Sequence, residues 1–190
     1  MTPQENDKQL VQFSEHLKER GFILEICGED FYTLFGAWKA GEKSTPKRGM
    51  IVTGKIGCGK THFLRALVPE SRFVDCATPR GWETLESGEM LGDYMGQDII
   101  LDNFGQEPVK NDFGNKRLLA GELINARHGE TNSAAFWKNE TKVGRVYIAT
   151  ALNSMQICER YGHFTASRIL ALCIGVKMKG EGKREPGVRI

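Results

Sequence analysis

The sequence predicts an α/β fold in which a mainly parallel sheet is flanked by helices. Three observations support this prediction: strand-like apolar segments alternate with helical segments, a glycine-rich segment follows the first of these strands, and a later strand ends in an aspartate. Strands that alternate with helices are typical of parallel sheets, because each parallel crossover needs a long connection. A length of 190 residues suits one domain with a sizeable core.

Residues 1–45 are predicted as a short helical appendage that could bind a partner protein. A first helix has apolar residues on one face and candidate residues for its start and its end. These are Leu10, Phe13 and Leu17 on the face, Asn6 at the start and Gly21 at the end. A second short helix is predicted over residues 31–39, and residues 40–49 have the composition of a loop.

Residues 46–180 are predicted as the core domain and residues 181–190 as a flexible basic tail. The strands are predicted from short apolar and β-branched runs, which are MIVTG (50–54), RFVDC (72–76), DIILD (98–102), RVYIAT (145–150) and CIGVKM (173–178). Helices are predicted between them at 61–67, 116–128, 154–160 and 165–172. Residues 129–143 are polar without a clear period, so we predict a long loop there.

Composition predicts a cytoplasmic protein with no membrane partner. It is 40% hydrophobic and 26% charged with a net charge of +2, which argues against a largely disordered chain and does not by itself indicate nucleic-acid binding. The five cysteines are scattered, as expected for reduced thiols. The polar N-terminus lacks the apolar region of a signal peptide, and no run reaches the roughly 18 apolar residues of a membrane span.

The strongest motif is GKIGCGKT at residues 54–61, which matches G-x-x-x-x-G-K-[ST]. Glycines let the backbone turn its N–H groups toward a phosphate, and the following helix N-terminus adds partial positive charge. Lys60 can reach the outer phosphates, and the Thr61 hydroxyl can bind Mg²⁺. The motif predicts a nucleotide site made by Gly54, Lys55, Ile56, Gly57, Cys58, Gly59, Lys60, Thr61 and His62.

Two features of this match favour a phosphate loop over a chance glycine-rich turn. At about 7% glycine, a random match should occur roughly once in a hundred sequences or less. The loop also lies between a predicted strand and a predicted helix, as the motif requires. Cys58 is interpreted as a small filler, since phosphate binding needs no nucleophile.

Asp102 is the candidate acid on the metal side of the site. It follows three apolar residues in IILD, at the point where this strand should emerge from the sheet. In that position its carboxylate can hold Mg²⁺ through water, opposite the Thr61 hydroxyl.

The order of these features resembles an AAA+ ATPase, and specifically the DnaC-like replicative helicase loaders and the IstB-type transposition helper ATPases. The resemblance covers roughly residues 48–180 and is carried by RGMIVTGKIGCGKTHFLRAL, IILDNFGQE, LINARHG, YIATALN and ERYGHFTASRIL. In those families a helix with Tyr-Gly leads into a Ser/Asp-Arg-Leu/Met stretch and a final strand. Here Tyr161-Gly162 and Ser167-Arg168-Ile169 stand at the same separation, before CIGVKM.

The resemblance implies an ATPase that works at subunit interfaces. Arg168 matches the arginine that a neighbouring subunit inserts to stabilise charge on the γ-phosphate; the alternative role is an intramolecular ion pair. Arg127, in INARHG, also matches a family position and could contact a neighbour or single-stranded DNA, although a solvated helix face explains it equally well. The implied partners are a replicative helicase or a transposase, single-stranded DNA, and further copies of the chain assembled with ATP.

Three positions depart from the family pattern, all on the hydrolysis side. Asn103 stands where a second acid usually polarises the attacking water, and an asparagine can orient water but cannot accept its proton. Ala151 replaces a polar γ-phosphate sensor, and Phe164 stands where many loaders have an additional arginine. Asn153 and Glu107 are the candidate substitutes for the sensor and for the acid. We therefore predict nucleotide binding with slow or absent turnover.

Other functions remain open at this point. A transposition helper would share the site and differ only in its partner. A small-molecule kinase would need an Arg-rich lid, whereas the predicted loop at 129–143 offers only Lys138 and Lys142. A structural remnant would bind no nucleotide. The basic stretch from Lys177 to Arg189 is interpreted as a solvated end; if it binds phosphates, affinity should fall steeply with salt.

Overall fold

The computed structural model describes residues 3–20, 30–86, 96–133 and 143–179. Several predictions concern residues outside these ranges: the helix end at Gly21, most of the loop at 129–143 with Lys138 and Lys142, and the tail at 181–190. In the part of the chain that the structure describes, no helix combines the length and apolar character that a bilayer crossing requires.

The described residues form helices and strands in alternation. The helices are α1 (Pro3–Glu19), α2 (Asp30–Lys43), α3 (Lys60–Leu67), α4 (Pro79–Glu86), α5 (Leu119–Thr131) and α6 (Ser154–Leu172). The strands are β1 (Gly49–Gly54), β2 (Arg72–Asp75), β3 (Ile99–Asp102), β4 (Lys110–Asp112), β5 (Asn115–Arg117), β6 (Val146–Thr150) and β7 (Cys173–Met178).

The main sheet has five strands in the order β2-β3-β6-β1-β7, and each neighbouring pair is parallel. β1 is an inner strand, with Ile51 opposite Ile148 of β6 on one side and Gly175 of β7 on the other. Because the strands are parallel, the C-terminal ends of β1, β2 and β3 meet at one edge of the sheet. The predicted α/β fold, a five-stranded mainly parallel sheet flanked by helices, is confirmed.

Side chains of β1 alternate between two hydrophobic clusters, one on each face of the sheet, as the period of two for a strand requires. Met50 and Val52 pack in a cluster with residues of α1, α2 and α3. Ile51 packs in the other, with residues of α5 and α6. Burial on both faces explains why the core strands read as continuous apolar runs.

The two N-terminal helices bury their apolar faces in the first cluster. Phe13 and Leu17 of α1 are 3% and 0% exposed, and Leu34 and Phe35 of α2 are buried as well. The predicted helical character of residues 1–45 thus holds for the described part, and these helices share a core with the sheet. The division of the chain at residue 45 stays a prediction.

Helix boundaries correct the predicted starts of the first two helices. α1 already begins at Pro3, so Asn6 lies inside the helix and not at its cap. Proline suits the first helical turn, because its φ is already helical and its missing N–H has no acceptor there. α2 extends from Asp30 to Lys43, well beyond the predicted 31–39.

The sequence analysis did not predict a small β-hairpin, and because of this hairpin the next helix begins later than predicted. Residues 110–117 form the antiparallel pair β4–β5, and the turn between them has positive φ at Phe113 and Gly114. Both strands are polar and largely exposed, so no apolar alternation marks them in the sequence. The helix predicted at 116–128 accordingly runs from Leu119 to Thr131, which also shortens the predicted loop at 129–143.

The last two predicted helices join into α6, which bends at Gly162. Gly162 has φ 80° and ψ 157°, a backbone conformation that only glycine adopts without strain. The bend thus lies between the two helical halves that the sequence predicts. α4 was not predicted at all.

Candidate functional site

The loop between β1 and α3 forms the candidate nucleotide site. Gly54 and Gly59 flank it with φ values of 151° and 92°, which residues with a Cβ rarely adopt. At Gly54 a Cβ would also lie 2.6 Å from the carbonyl oxygen of Met178. The glycines therefore allow the tight turn that places the loop's backbone against the N-terminus of α3, where the first helical N–H groups have no intrahelical acceptor.

The remaining residues of the loop separate into an exposed tip and a buried floor. Lys55 and Ile56 are exposed at the tip, and His62 is exposed on the first turn of α3. Gly57 adopts a positive φ of 84°. Cys58 is only 1% exposed, which agrees with its interpretation as a small filler.

The Lys60 ammonium lies within the loop that it is predicted to serve. Its Nζ donates hydrogen bonds to the carbonyl oxygens of Gly54, at 2.9 Å, and Lys55, at 2.8 Å. Nζ is also 3.8 Å from the Cys58 sulfur. The charge is thus held at the centre of the loop, where an anionic group would meet it.

Thr61 and Asp102 form the clearest contact of the site. The Thr61 Oγ1 donates a 2.6 Å hydrogen bond to Oδ1 of Asp102, joining the first turn of α3 to the end of β3. Burial raises the pKa of the Asp102 carboxyl above its ordinary value, and the Thr61 hydrogen bond and the Lys60 charge partly oppose this rise. A hydroxyl and a buried carboxylate are hard oxygen ligands of the kind that Mg²⁺ takes in phosphate sites, so these residues fit that ion.

Asn103 follows Asp102 and is held by a second strand-end acid. Its φ is 50°, a left-handed conformation that asparagine tolerates better than most residues. Its Nδ2 donates a 2.9 Å hydrogen bond to Oδ1 of Asp75, the last residue of β2. Asp75 was not a sequence candidate, because the predicted strand 72–76 extended past it to Cys76.

Glu107 is not positioned as a substitute acid. It is 2% exposed, and its two carboxylate oxygens accept hydrogen bonds from the Gly105 N–H, at 3.1 Å, and from the Tyr161 hydroxyl. The Tyr161 ring also stacks on Phe104 with a centroid separation of 4.5 Å. Glu107 therefore anchors the loop after β3 to α6, and the suggestion that it replaces the missing acid is wrong for this structure.

Arg168 lies in the second half of α6, and its guanidinium sits 3.7 Å from the centroid of the Phe164 ring. No ion pair joins Arg168 to a carboxylate among the described residues, so the predicted alternative role is not seen there. Phe164 is 66% exposed. Arg168 itself is half-buried, so the pair lies at the surface of α6 with Phe164 as its exposed part.

Asn153 caps α6 and Ala151 is exposed beside it. The Asn153 side chain accepts a 2.9 Å hydrogen bond from the backbone N–H of Gln156, whose side chain accepts from the Asn153 N–H in return. Ala151 and Asn153 line a groove of about 650 Å³ that also borders Gly54 and Lys55. Both positions are therefore near the loop, and Asn153 keeps its amide nitrogen as a donor.

The structure corrects the predicted roles of Arg127. Its side chain is 0% exposed, and Nη1 donates to the carbonyl oxygens of Gln97, at 3.0 Å, and Gly144, at 2.8 Å. Burial lowers the pKa of the guanidinium to about 10. Neither a solvated helix face nor a contact with a neighbour or DNA describes this residue; it ties α5 to the segments that enter β3 and β6.

The sheet and the loop together define the class of the protein. β1, the glycine loop and α3 form a strand–loop–helix unit, and Asp102 reaches Thr61 from a strand two positions away in the sheet. This is a P-loop α/β domain, and the predicted fold class is confirmed.

The chain was compared with known protein families, curated proteins and solved structures. No protein-family model and no curated protein matches the chain. Among solved structures, it is similar to a crystal structure of DnaI, with 18% identity over 72% of this chain and 73% of that chain and a TM-score of 0.48. It is also similar to a crystal structure of the DnaC helicase loader, with 19% identity over 70% and 78% of the two chains and a TM-score of 0.42. These similarities concern the fold.

Proposed function

We propose that the protein binds ATP with Mg²⁺ at residues 54–61 and acts in DNA replication as a helicase loader or adaptor with slow hydrolysis. The observation that carries the nucleotide part is the 2.6 Å hydrogen bond between Thr61 and Asp102 next to the Lys60 ammonium. A buried acid, a hydroxyl and a lysine brought to one helix N-terminus form the arrangement that phosphate transfer sites use.

Binding requires Lys60 to exchange acceptors. In the structure its ammonium is bonded to the carbonyls of Gly54 and Lys55; with ATP present, phosphate oxygens replace them as the acceptors. Backbone N–H groups of the loop and of the α3 N-terminus orient the same phosphates. Thr61 and Asp102 would hold Mg²⁺, which would supply positive charge against the phosphates.

Slow hydrolysis is supported by the residues that follow Asp102 at the end of β3. Asn103 can orient a water but cannot take its proton, and Glu107 is buried with both oxygens bonded. Loss of the base from the position directly after Asp102 lowers the rate, by up to about 10²–10⁴-fold where no other group replaces it. We therefore infer a nucleotide-controlled switch that turns over more slowly than about once per second.

The proposed partner, a replicative helicase, rests on the order of motifs from the phosphate loop to Arg168. A surface for it is offered by the N-terminal helices, where Val11 of α1 and Tyr32 of α2 are 53% and 69% exposed. Large apolar side chains at such exposure are frequent at protein interfaces. In an ATP-dependent assembly of copies, Arg168 would act on the nucleotide of a neighbour.

Nucleotide binding is tested by titration with a fluorescent ATP analogue. The wild-type protein should bind the analogue and the Lys60→Ala variant should not. The substitution removes the only positive charge that is hydrogen-bonded inside the loop among the described residues. Lys116→Ala, which removes an exposed lysine from β5, is the matched control and should bind normally. A wild-type protein that binds no nucleotide would identify a structural remnant and end the proposal.

Partner binding is tested by size-exclusion chromatography of the full chain with the replicative helicase of its own organism. Tyr32→Ala should weaken the complex, whereas Thr33→Ala, an exposed neighbour on the same helix, should not. Light scattering with and without ATP and Mg²⁺ tests whether copies of the chain assemble. Arg168→Ala should leave the assembled protein unable to hydrolyse ATP. Binding to a transposase instead would favour the transposition helper, and phosphate transfer to a nucleoside would favour the kinase.

A further inference from the structure

The candidate site presents a carboxylate that the motif does not assign. Asp75 ends β2, and β2 pairs with β3 so that Asp75 lies directly opposite Asp102. Neighbouring strands are about 4.8 Å apart, so the Asp75 side chain emerges beside the predicted metal-side acid. It also emerges beside Asn103, at the place where an acid is missing.

The hydrogen bonds of Asp75 leave one of its oxygens available. Oδ1 accepts from the Asn103 Nδ2, at 2.9 Å, and from the Ala77 N–H, at 3.0 Å. Oδ2 forms no hydrogen bond with any residue that the structure describes. The two donors to Oδ1 fix the orientation of the carboxylate, and Oδ2 has no donor among the described residues. Glu107, by contrast, has both oxygens bonded and is buried.

We propose that Asp75 supplies the carboxylate that Asn103 lacks, and that the Asn103–Asp75 pair acts on the water that attacks ATP. This inference rests on the proposed ATP site. The Asn103 side chain orients the pair, and Oδ2 of Asp75 takes a proton from the water. The water oxygen forms a bond to the γ-phosphorus as the bond from that phosphorus to the β–γ bridging oxygen breaks. ADP leaves with the electron pair of the broken bond, and Asp75 returns its proton to solvent.

Asp75→Asn separates this role from a structural one. The oxygen of an asparagine at position 75 can still accept from Asn103 Nδ2 and from the Ala77 N–H, so both observed hydrogen bonds survive. Only the carboxylate is lost. A second variant, Asp75→Asn with Asn103→Asp, exchanges the two side chains and reverses the hydrogen bond between them. It returns one carboxylate to the pair, on the neighbouring strand end.

The experiment measures phosphate release and nucleotide affinity for the full chain with ATP and Mg²⁺. Asp75→Asn should lower the hydrolysis rate about 10²-fold or more, the usual contribution of a positioned base, and leave ATP-analogue affinity within about twofold. The exchanged double variant should recover at least tenfold of the lost rate. Asp112→Asn, which removes an exposed acid of the β4–β5 hairpin, should behave as wild type.

The outcomes distinguish this inference from the proposed function. If the wild-type protein binds the ATP analogue but hydrolyses ATP no faster than Asp75→Asn, including no turnover in either, the role of Asp75 is overturned while ATP binding stands. A double variant that recovers no activity also overturns it. If the wild-type protein binds no nucleotide, the proposed function itself fails.

Discussion

Phe13→Ala tests whether the N-terminal helices are part of the folded core. The Phe13 side chain is 3% exposed and lies among four other rings. Its centroid distances are 5.7 Å to Phe31, 5.3 Å to Phe35, 5.1 Å to Trp38 and 6.4 Å to Phe63. Phe63 belongs to α3, which starts at the phosphate loop. The substitution therefore removes the ring at which α1, α2 and the core meet.

The magnitude follows from burial. Truncating a buried phenylalanine to alanine costs about 3–5 kcal/mol, since apolar contacts are lost and a cavity remains. The tilted and edge-on geometry of the neighbouring rings places Phe13 toward the upper part of that range, because aromatic pairs add about 0.5–1.5 kcal/mol beyond their buried area. At roughly 2–4 °C per kcal/mol for a chain of this size, Tm should fall by about 6–20 °C.

Urea unfolding followed by circular dichroism measures the free energy of unfolding, and calorimetry measures Tm. Val11→Ala, on the same helix with 53% of its side chain exposed, is the control and should change stability by no more than about 0.5 kcal/mol. A Phe13→Ala protein as stable as that control would refute the reasoning. It would show that residues 1–45 form a separable appendage, as the sequence predicts.

Three further substitutions test individual contacts of the site and its support. Asp102→Asn should abolish Mg²⁺-dependent ATP binding. It should not destabilise the ligand-free protein at pH 7, because burial raises the folded-state pKa of this carboxyl and the ionised carboxylate therefore lowers the free energy of unfolding. The stability difference between the two proteins should shift in favour of wild type as pH falls through that raised pKa toward the unfolded value, which urea titrations at several pH values measure. Arg127→Ala should cost at least about 2 kcal/mol, since the carbonyl of Gly144 loses its donor and a cavity forms, and it should leave any affinity for single-stranded DNA in a filter-binding assay unchanged. Tyr161→Phe should cost about 1–3 kcal/mol in thermal unfolding, because it leaves an oxygen of buried Glu107 without its donor. Tyr32→Phe, at an exposed position, should cost nothing measurable.

The parts of the molecule that the sequence predicts are those with local rules. The phosphate loop has a fixed spacing tied to backbone conformation, and Gly54 and Gly59 indeed take positive φ. The core strands are apolar on both faces because both faces of the sheet are covered. Asp102 follows from the same logic, since a polar side chain after a buried strand must emerge at the sheet edge.

The parts that were missed depend on tertiary contacts. The β4–β5 hairpin carries polar residues on both sides, so it lacks the alternation that marks a half-buried strand. Arg127 looks like a surface residue by type, and only its carbonyl partners at Gln97 and Gly144 explain its burial. Asp75 was overlooked because its importance depends on β2 being the neighbour of β3, which strand identity alone does not reveal.

Two physical features of the structure favour an asparagine at position 103. Its backbone has φ 50°, and asparagine is among the few residues that adopt this conformation at low cost. Its side chain donates to Asp75 at 2.9 Å, where a second carboxylate would instead face a like charge at hydrogen-bonding distance. An acid at position 103 and an acid at position 75 therefore disfavour each other. The absence of an acid after Asp102 is coupled to the presence of Asp75, and the two positions have to be substituted together before either is judged.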